Sequence, residues 1–237
     1  MWHQLDNWPP KNAREKKLYL QPKGGLSFDP PRSSGDEYSE YVSDPAKPVP
    51  HTRDIRLGVS REVLSEDQRF ASYRSDVLTF ESDPLPSDVT IAGPMTASLE
   101  VSTSGTDSDW IVKLIDVFPN DSAGVARSGV PLSGYQMLVR GDVFRGKFRE
   151  SLSKPVPFTP NKVTHVEFEL RDLLHCFKAG HRMMVQIQST WFPLVDRNPQ
   201  TFVNIRTAKE SDFRKATERV YHSPQNPTFL KVLVWDK

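Results

Sequence analysis

KAGHRMMVQIQSTWFPLVDRNPQTFVNI, residues 178–205, is the stretch whose reading decides the fold. Gly180 suits a turn, because a residue without Cβ takes φ > 0 at no steric cost. Behind it Met183, Val185 and Ile187 alternate with Met184, Gln186 and Gln188, the period of two that marks a β-strand with one apolar and one amphipathic face. Trp191, Phe192 and Pro193 follow, and a proline, which lacks an N–H, fits a strand's edge or exit better than a central ladder position. Asp196-Arg197-Asn198-Pro199 is then a polar loop with two readings. Its own carboxylate–guanidinium pair and the Asn side chain can hold it as a structural turn, or the same groups can form a ligand site.

The same alternation recurs outward from this stretch. Residues 96–102 put Ala97, Leu99 and Val101 on one face, residues 163–170 do so with Val166 and Phe168, and residues 229–235 with Leu230, Val232 and Val234. Residues 110–118 are apolar on both faces apart from Lys113 and Asp116, as a central strand requires. Leu18-Tyr19-Leu20 and Leu26-Ser27-Phe28 flank a turn at Gly24-Gly25, and residues 38–42 and 77–80 add further strands. Residues 134–139 and 143–149 read as a pair joined around Gly141-Asp142, and Leu173, Leu174 and Phe177 as one helical turn. With 20 prolines against 12 glycines, these short runs predict an all-β, two-sheet antiparallel sandwich of the jelly-roll type. The sandwich is expected over residues 71–237, with residues 1–70 an irregular N-terminal extension and linker excursion packed on it as part of one structural domain. Pro45, Pro48 and Pro50 make residues 43–50 extended and close to polyproline II. Residues 51–70 mix four arginines with Ile55, Leu57, Val59 and Leu64 in no regular order, and long irregular excursions of this kind are often functional.

Composition removes several classes of function. With 31 basic and 30 acidic residues the net charge is +1, which gives no electrostatic reason to expect nucleic acid or a membrane surface as partner. Cys176 is the single cysteine, so neither an intrachain disulfide nor a cysteine-based zinc site is available. The first residues contain no uninterrupted apolar stretch of the kind an export signal needs, and the compartment stays unassigned. None of the six histidines has a second at i+4, and no metal or cofactor is expected. The carboxylates of Asp107 and Asp109 sit two apart in a Ser/Gly/Asp-rich turn that can feed calcium, yet the later Glu of an EF-hand loop is missing. Gly58-Val59-Ser60-Arg61-Glu62 is the nearest approach to the Gly-x-Ser-x-Gly elbow of a serine hydrolase, and it lacks both the second glycine and a following helix. No catalytic residue is therefore expected in this chain.

Taken together, several motifs resemble one family. They are EYVSDPAKPVP (residues 40–50), EDQRF (66–70) with DVL (76–78), DSDW through KLIDV (107–117), FRGKFRE (144–150), GHR through QS (180–189) and FPLVDRNPQT (192–201), with RVY (219–221) near the end. The chain resembles, nearly end to end, the C-terminal domain of the α-amino-acid ester hydrolases and their relatives, the glutaryl acylases, bacterial cocaine esterase and X-Pro dipeptidyl-peptidase. The resemblance implies a galactose-binding-like jelly roll. It also implies a missing N-terminal α/β-hydrolase domain that carries the Ser-His-Asp triad and acts on a small ester or amide. The excursion after the proline-rich segment would approach the active-site mouth, making Ile55, Leu57, Val59 and Leu64 the rim of the parent's substrate pocket. Asp67, Arg69, Asp196, Arg197 and Asn198 would form a domain-interface or structural polar cluster. Members of this family are often exported to the periplasm, and loss of the partner domain would leave an apolar patch that favours a homo-oligomer. The alternative is a carbohydrate-binding jelly roll in which Trp110, Trp191 and Trp235 stack on a sugar.

Overall fold

The alternating apolar runs pair into thirteen strands in the computed structural model, which describes residues 5–32, 37–54, 66–126 and 129–236. They are β1 (Ala13–Gln21), β2 (Gly25–Ser27), β3 (Tyr38–Ser43), β4 (Leu78–Glu81), β5 (Val89–Gly93), β6 (Thr96–Thr103), β7 (Asp109–Val117), β8 (Gln136–Arg145), β9 (Thr164–Glu169), β10 (Leu173–Phe177), β11 (Arg182–Gln188), β12 (Ala216–Tyr221) and β13 (Phe229–Trp235). One short helix, α1 (Arg69–Ser72), precedes β4. One layer runs β4-β11-β7-β8, and the other is built from β3-β12-β6-β13-β1 with β9 on β6 and β5-β10 on β13. A single parallel pairing, Gly25 with Glu81, joins them through β2, so the layers meet at that corner and face each other elsewhere.

Period-two patterning is what fills the space between the layers. Trp110, Val112 and Leu114 of β7, with Met183, Val185 and Ile187 of β11, meet Ala97, Leu99 and Val101 of β6 and Leu230, Val232 and Val234 of β13 in one core. The opposite face of β7 and β11 is covered too. Ile111, Ile115, Leu138 and Met184 form a second apolar cluster under Trp191, which explains why every residue of β7 is buried.

Local expectations change at two turns, while Pro193 marks a strand exit as expected. β11 lies between β4 and β7, a central position, and Pro193 falls only after the strand has ended. No hairpin turn occurs at Gly141-Asp142; β8 runs straight through it along β7, with a register shift opposite Leu114 and Ile115. Gly141 is small for a packing reason, because a Cβ there would lie 3.2 Å from Cγ of Lys113 and 3.3 Å from Cη2 of Trp191. Residues 173–177 are a strand paired with β5, not a helical turn. Apolar residues at i and i+4 satisfy both periods, and the free β5 edge decides between them. β1, β2 and β3 also pair into the layers, β1 along seven register positions of β13, so residue 70 does not mark a boundary between sheets.

Candidate functional site

Residues 107–109 close the turn into β7, and residues 145–147 leave β8 beside them, since Asp109 pairs with Arg145 in the ladder. Arg145 forms a two-pronged ion pair with Asp109, Nε and Nη2 each 3.0 Å from a carboxylate oxygen, and Nη2 also reaches Asp196 Oδ1 at 2.5 Å. Burial works against the guanidinium's charge, and the bonds to Asp109 and Asp196 outweigh it, so its pKa rises above the ordinary value. Asn198 donates to Asp109 Oδ1 at 2.8 Å and accepts from the backbone N–H of Gln200 at 2.8 Å. Two residues earlier, in the turn before the strand, Asp107 faces Lys147 Nζ at 3.2 Å, and that ammonium also donates to the carbonyl of Val203 at 2.9 Å.

The loop of residues 196–200 thus sits on a floor of buried charge. Its backbone approaches so closely that a Cβ on Gly105 would lie 2.3 Å from the carbonyl oxygen of Gln200. The Gln200 amide, with its nitrogen toward Glu218, donates to Oε1 at 3.0 Å and accepts from the Ser43 hydroxyl at 2.9 Å. Glu218 is fully buried on β12, also accepts from Thr103 Oγ1 at 3.0 Å, and burial pushes its carboxyl up to about 8. A neutral Glu218 is the form this setting favours at pH 7.

The polar residues picked out in sequence divide between three places. Asp196 and Asn198 meet at Arg145 and Asp109 as described. Arg197 does not pair with Asp196; it donates to the carbonyl of Pro45 at 2.8 Å and lies over the rings of Phe192 and Phe213. The loop is therefore tied down by partners outside it. Asp67 and Arg69 pair with each other at 2.5 Å near the other end of β8, where Asp67 also accepts from the backbone N–H of Gln136. Ile55, Leu57, Val59 and Leu64 lie outside the described residues. The residues on either side of that stretch are fixed. The N–H of Arg53 is 3.1 Å from both carboxylate oxygens of Glu66, His51 N donates to Phe192 O, and Gln68 N donates to Gln136 O.

Beneath those roots lies a buried amine that pattern reading passed over. Lys113 is fully buried, donates to Gln68 Oε1 at 3.1 Å and stands 5.1 Å from the Trp191 ring centroid. Burial without a neighbouring carboxylate brings its pKa down to about 7. The signals were present: Lys113 interrupts an apolar run, and Glu218 falls on the same strand face as buried Val220.

The remaining candidates are engaged structurally. Asp107 and Asp109 are spent on Lys147 and Arg145, and among the described residues no group of His, Cys, Asp or Glu is arranged to hold a metal ion. Asp116, buried, accepts from His175 at 2.9 Å and His181 at 2.8 Å, while His165 pairs with Glu100. Ser39 Oγ lies 3.0 Å from His222 Nε2, but His222 is fully buried against Phe80. Trp110 and Trp191 are buried, which leaves no platform of the three tryptophans for a sugar. Among the described residues no helix is long and apolar enough to cross a membrane.

The segments that meet at the Asp109–Arg145 pair are also those on which the family resemblance rests. Residues 1–231 match the family described as the X-Pro dipeptidyl-peptidase C-terminal non-catalytic domain. Cocaine esterase of Rhodococcus sp. (strain MB1 Bresler) is 28% identical over 236 residues, which is 97% of this chain and 39% of the esterase. Among solved structures, an α-amino acid ester hydrolase superposes with a TM-score of 0.93 at 46% identity, covering 99% of this chain and 39% of that one. An aminopeptidase from a marine sediment Thaumarchaeota archaeon gives 0.91 at 42%, covering 100% of this chain and again 39% of the other. The chain thus spans about two fifths of the length of these relatives, and it belongs to the X-Pro dipeptidyl-peptidase C-terminal non-catalytic domain family.

Proposed function

We propose that this domain serves a serine hydrolase acting on ester or amide bonds, where it buttresses an N-terminal α/β-hydrolase domain and lines one wall of its active-site cleft. The carrying observation is the clamp at the roots of residues 55–65: Arg53 bonded to Glu66, with His51 and Gln68 bonded to the body of the sandwich on either side. Residues 51–53 and 66–68 are thereby held in place for a neighbouring domain, so this domain contributes orientation and water exclusion and leaves the chemistry to the partner. Ile55, Leu57, Val59 and Leu64 supply the apolar side chains for that wall. The relatives' added length and their printed names, an esterase, an ester hydrolase and an aminopeptidase, support the reaction class.

The test compares the chain alone with the full-length gene product on p-nitrophenyl esters and aminoacyl p-nitroanilides. Turnover is expected only from the full-length protein. There, Leu57→Asp or Leu64→Asp should lower kcat/KM by about tenfold or more, the loss of roughly 1.4 kcal/mol of transition-state stabilisation, without unfolding the domain. Esterase activity of the chain alone that is abolished by a serine-directed phosphonate would overturn the reading.

A further inference from the structure

Two cavities flank α1, and their charges differ. The larger, about 600 Å³, contains Arg69 and Arg182, and both cations are already matched, Arg69 by Asp67 and Arg182 by Glu81 and the carbonyl of Ser82. The smaller, about 390 Å³, lies between the proline-rich segment and the turn after β11. Among the described residues its lining holds three cations, Lys47, Arg74 and Arg197, and no carboxylate. Arg74 is neutralised by a two-pronged pair with Asp76, at 2.8 and 2.7 Å. Arg197 spends one N–H on the carbonyl of Pro45, and its other neighbours among the described residues are the rings of Phe192 and Phe213. Lys47 has no ion pair within 4 Å among the described residues; the nearby carboxylate of Asp44 is held by Lys215 at 3.1 Å and by the backbone N–H of Ala46 at 3.0 Å.

The walls beside these two cations are apolar and already fixed. Pro48, Pro50 and Phe192 line the cleft. Phe192 N donates to Val49 O at 3.0 Å, His51 N donates to Phe192 O at 2.9 Å, and Arg74 Nη2 donates to Lys47 O at 3.2 Å. The two sides are thus bonded to one another before any ligand arrives, which removes much of the ordering cost of binding. The size falls within the ordinary range for small-molecule sites, and a guanidinium whose Cζ stands 6.0 and 5.0 Å from two aromatic centroids, with one N–H bonded to Pro45 O, suits a planar carboxylate.

We propose that this cleft binds a small monocarboxylate carrying an apolar or aromatic group, its carboxylate on Arg197 and Lys47 and its apolar part against Pro48, Pro50 and Phe192. The site needs no residue of the 55–65 segment.

Phenylacetate and its neutral isostere phenylacetamide, titrated into the isotopically labelled chain, test this by backbone amide shifts. Phenylacetate is expected to bind with a Kd of about 1–10 mM, as suits a ligand of its size, and to shift the amides of Ala46, Lys47, Arg74 and Phe192, with phenylacetamide at least about tenfold weaker. Arg197→Gln should weaken phenylacetate by about tenfold. Lys47→Glu, on an exposed side chain that cannot compromise folding, should weaken it about fivefold or more by placing a like charge at the site. Equal binding of acid and amide, full binding by the Lys47→Glu protein, or no shift up to about 50 mM would each overturn the proposal.

Discussion

Asp109 and Lys113 stand on the same face of β7, four residues apart and both buried, yet the fold treats their charges in opposite ways. Around Asp109 it has gathered Arg145, Asn198 and, through Arg145, Asp196. Around Lys113 it offers one neutral acceptor, Gln68, and the face of Trp191. A carboxylate taken out of water is tolerable when matched in charge and geometry, whereas a lone ammonium answers by releasing its proton more readily. The paired site fixes a loop and depends on both partners remaining charged. The lone site fixes little and responds to pH.

The largest expected effect comes from breaking the paired site. Arg145→Met leaves Asp109 buried without its countercharge and should cost about 3–5 kcal/mol in urea unfolding. Adding Asp109→Asn removes the stranded charge and should recover a large part of that loss. A single Arg145→Met protein within about 1 kcal/mol of the parent would mean that the pair is screened as a surface bridge is, and the contrast with Lys113 would disappear.

Lys113→Met should have a smaller effect whose size depends on pH. The folded-state pKa is about 7 against an ordinary 10.5, so between those values the unfolded chain binds the extra proton and the parent gains stability as pH rises. The slope is up to about 1.4 kcal/mol per pH unit for one group, and the Met protein should lack it. Because Met also leaves Gln68 without its donor, the two proteins should lie within about 2 kcal/mol of each other at pH 8. The variant should then gain on the parent by about 1.4 kcal/mol between pH 8 and pH 6. Parallel stability curves from pH 7 to 10 would show that Lys113 stays charged and has a partner of another kind.

How legible this contrast was in sequence depends on what carries each half. The strands around it were readable because period-two alternation survives in β6, β9, β11 and β13, where one face packs into the main core. The apolar pattern on both faces marked β7 as central, but alternation could not tell that the second face of β11 is also covered, because that depends on Trp191 folding back over Gly141, a contact between residues distant in the chain. For the same reason Gly141 looked like a turn. Asp196 and Asn198 were visible as a polar loop, but their partners come from β7 and β8, and no spacing rule links residue 145 to residue 196. Glu218 was hardest: a glutamate on a strand edge and one at the floor of a polar cluster look alike until Thr103 and Gln200 are placed beside it.

Glu218 also supplies the finest test, because it belongs to the charged cluster yet behaves as the lone site does. Its carboxyl is raised from 4.5 to about 8, first by burial, with the charges of Asp107 and Asp109 adding to the effect. Between those values the folded state holds a proton that the unfolded chain has released, so stability falls as pH rises, the reverse of the Lys113 slope. Glu218→Gln keeps an acceptor for Thr103 Oγ1 and mimics the protonated acid, so at pH 5 the variant should unfold within about 1 kcal/mol of the parent. From pH 5 to 8 the parent should lose up to about 1.4 kcal/mol per pH unit relative to the variant. If both proteins instead keep a constant separation across that range, Glu218 is ionised at neutral pH and the cluster must hold its third carboxylate by charge, as it holds Asp109. The boundary between the two ways of burying charge then moves from β12 back to Lys113 alone.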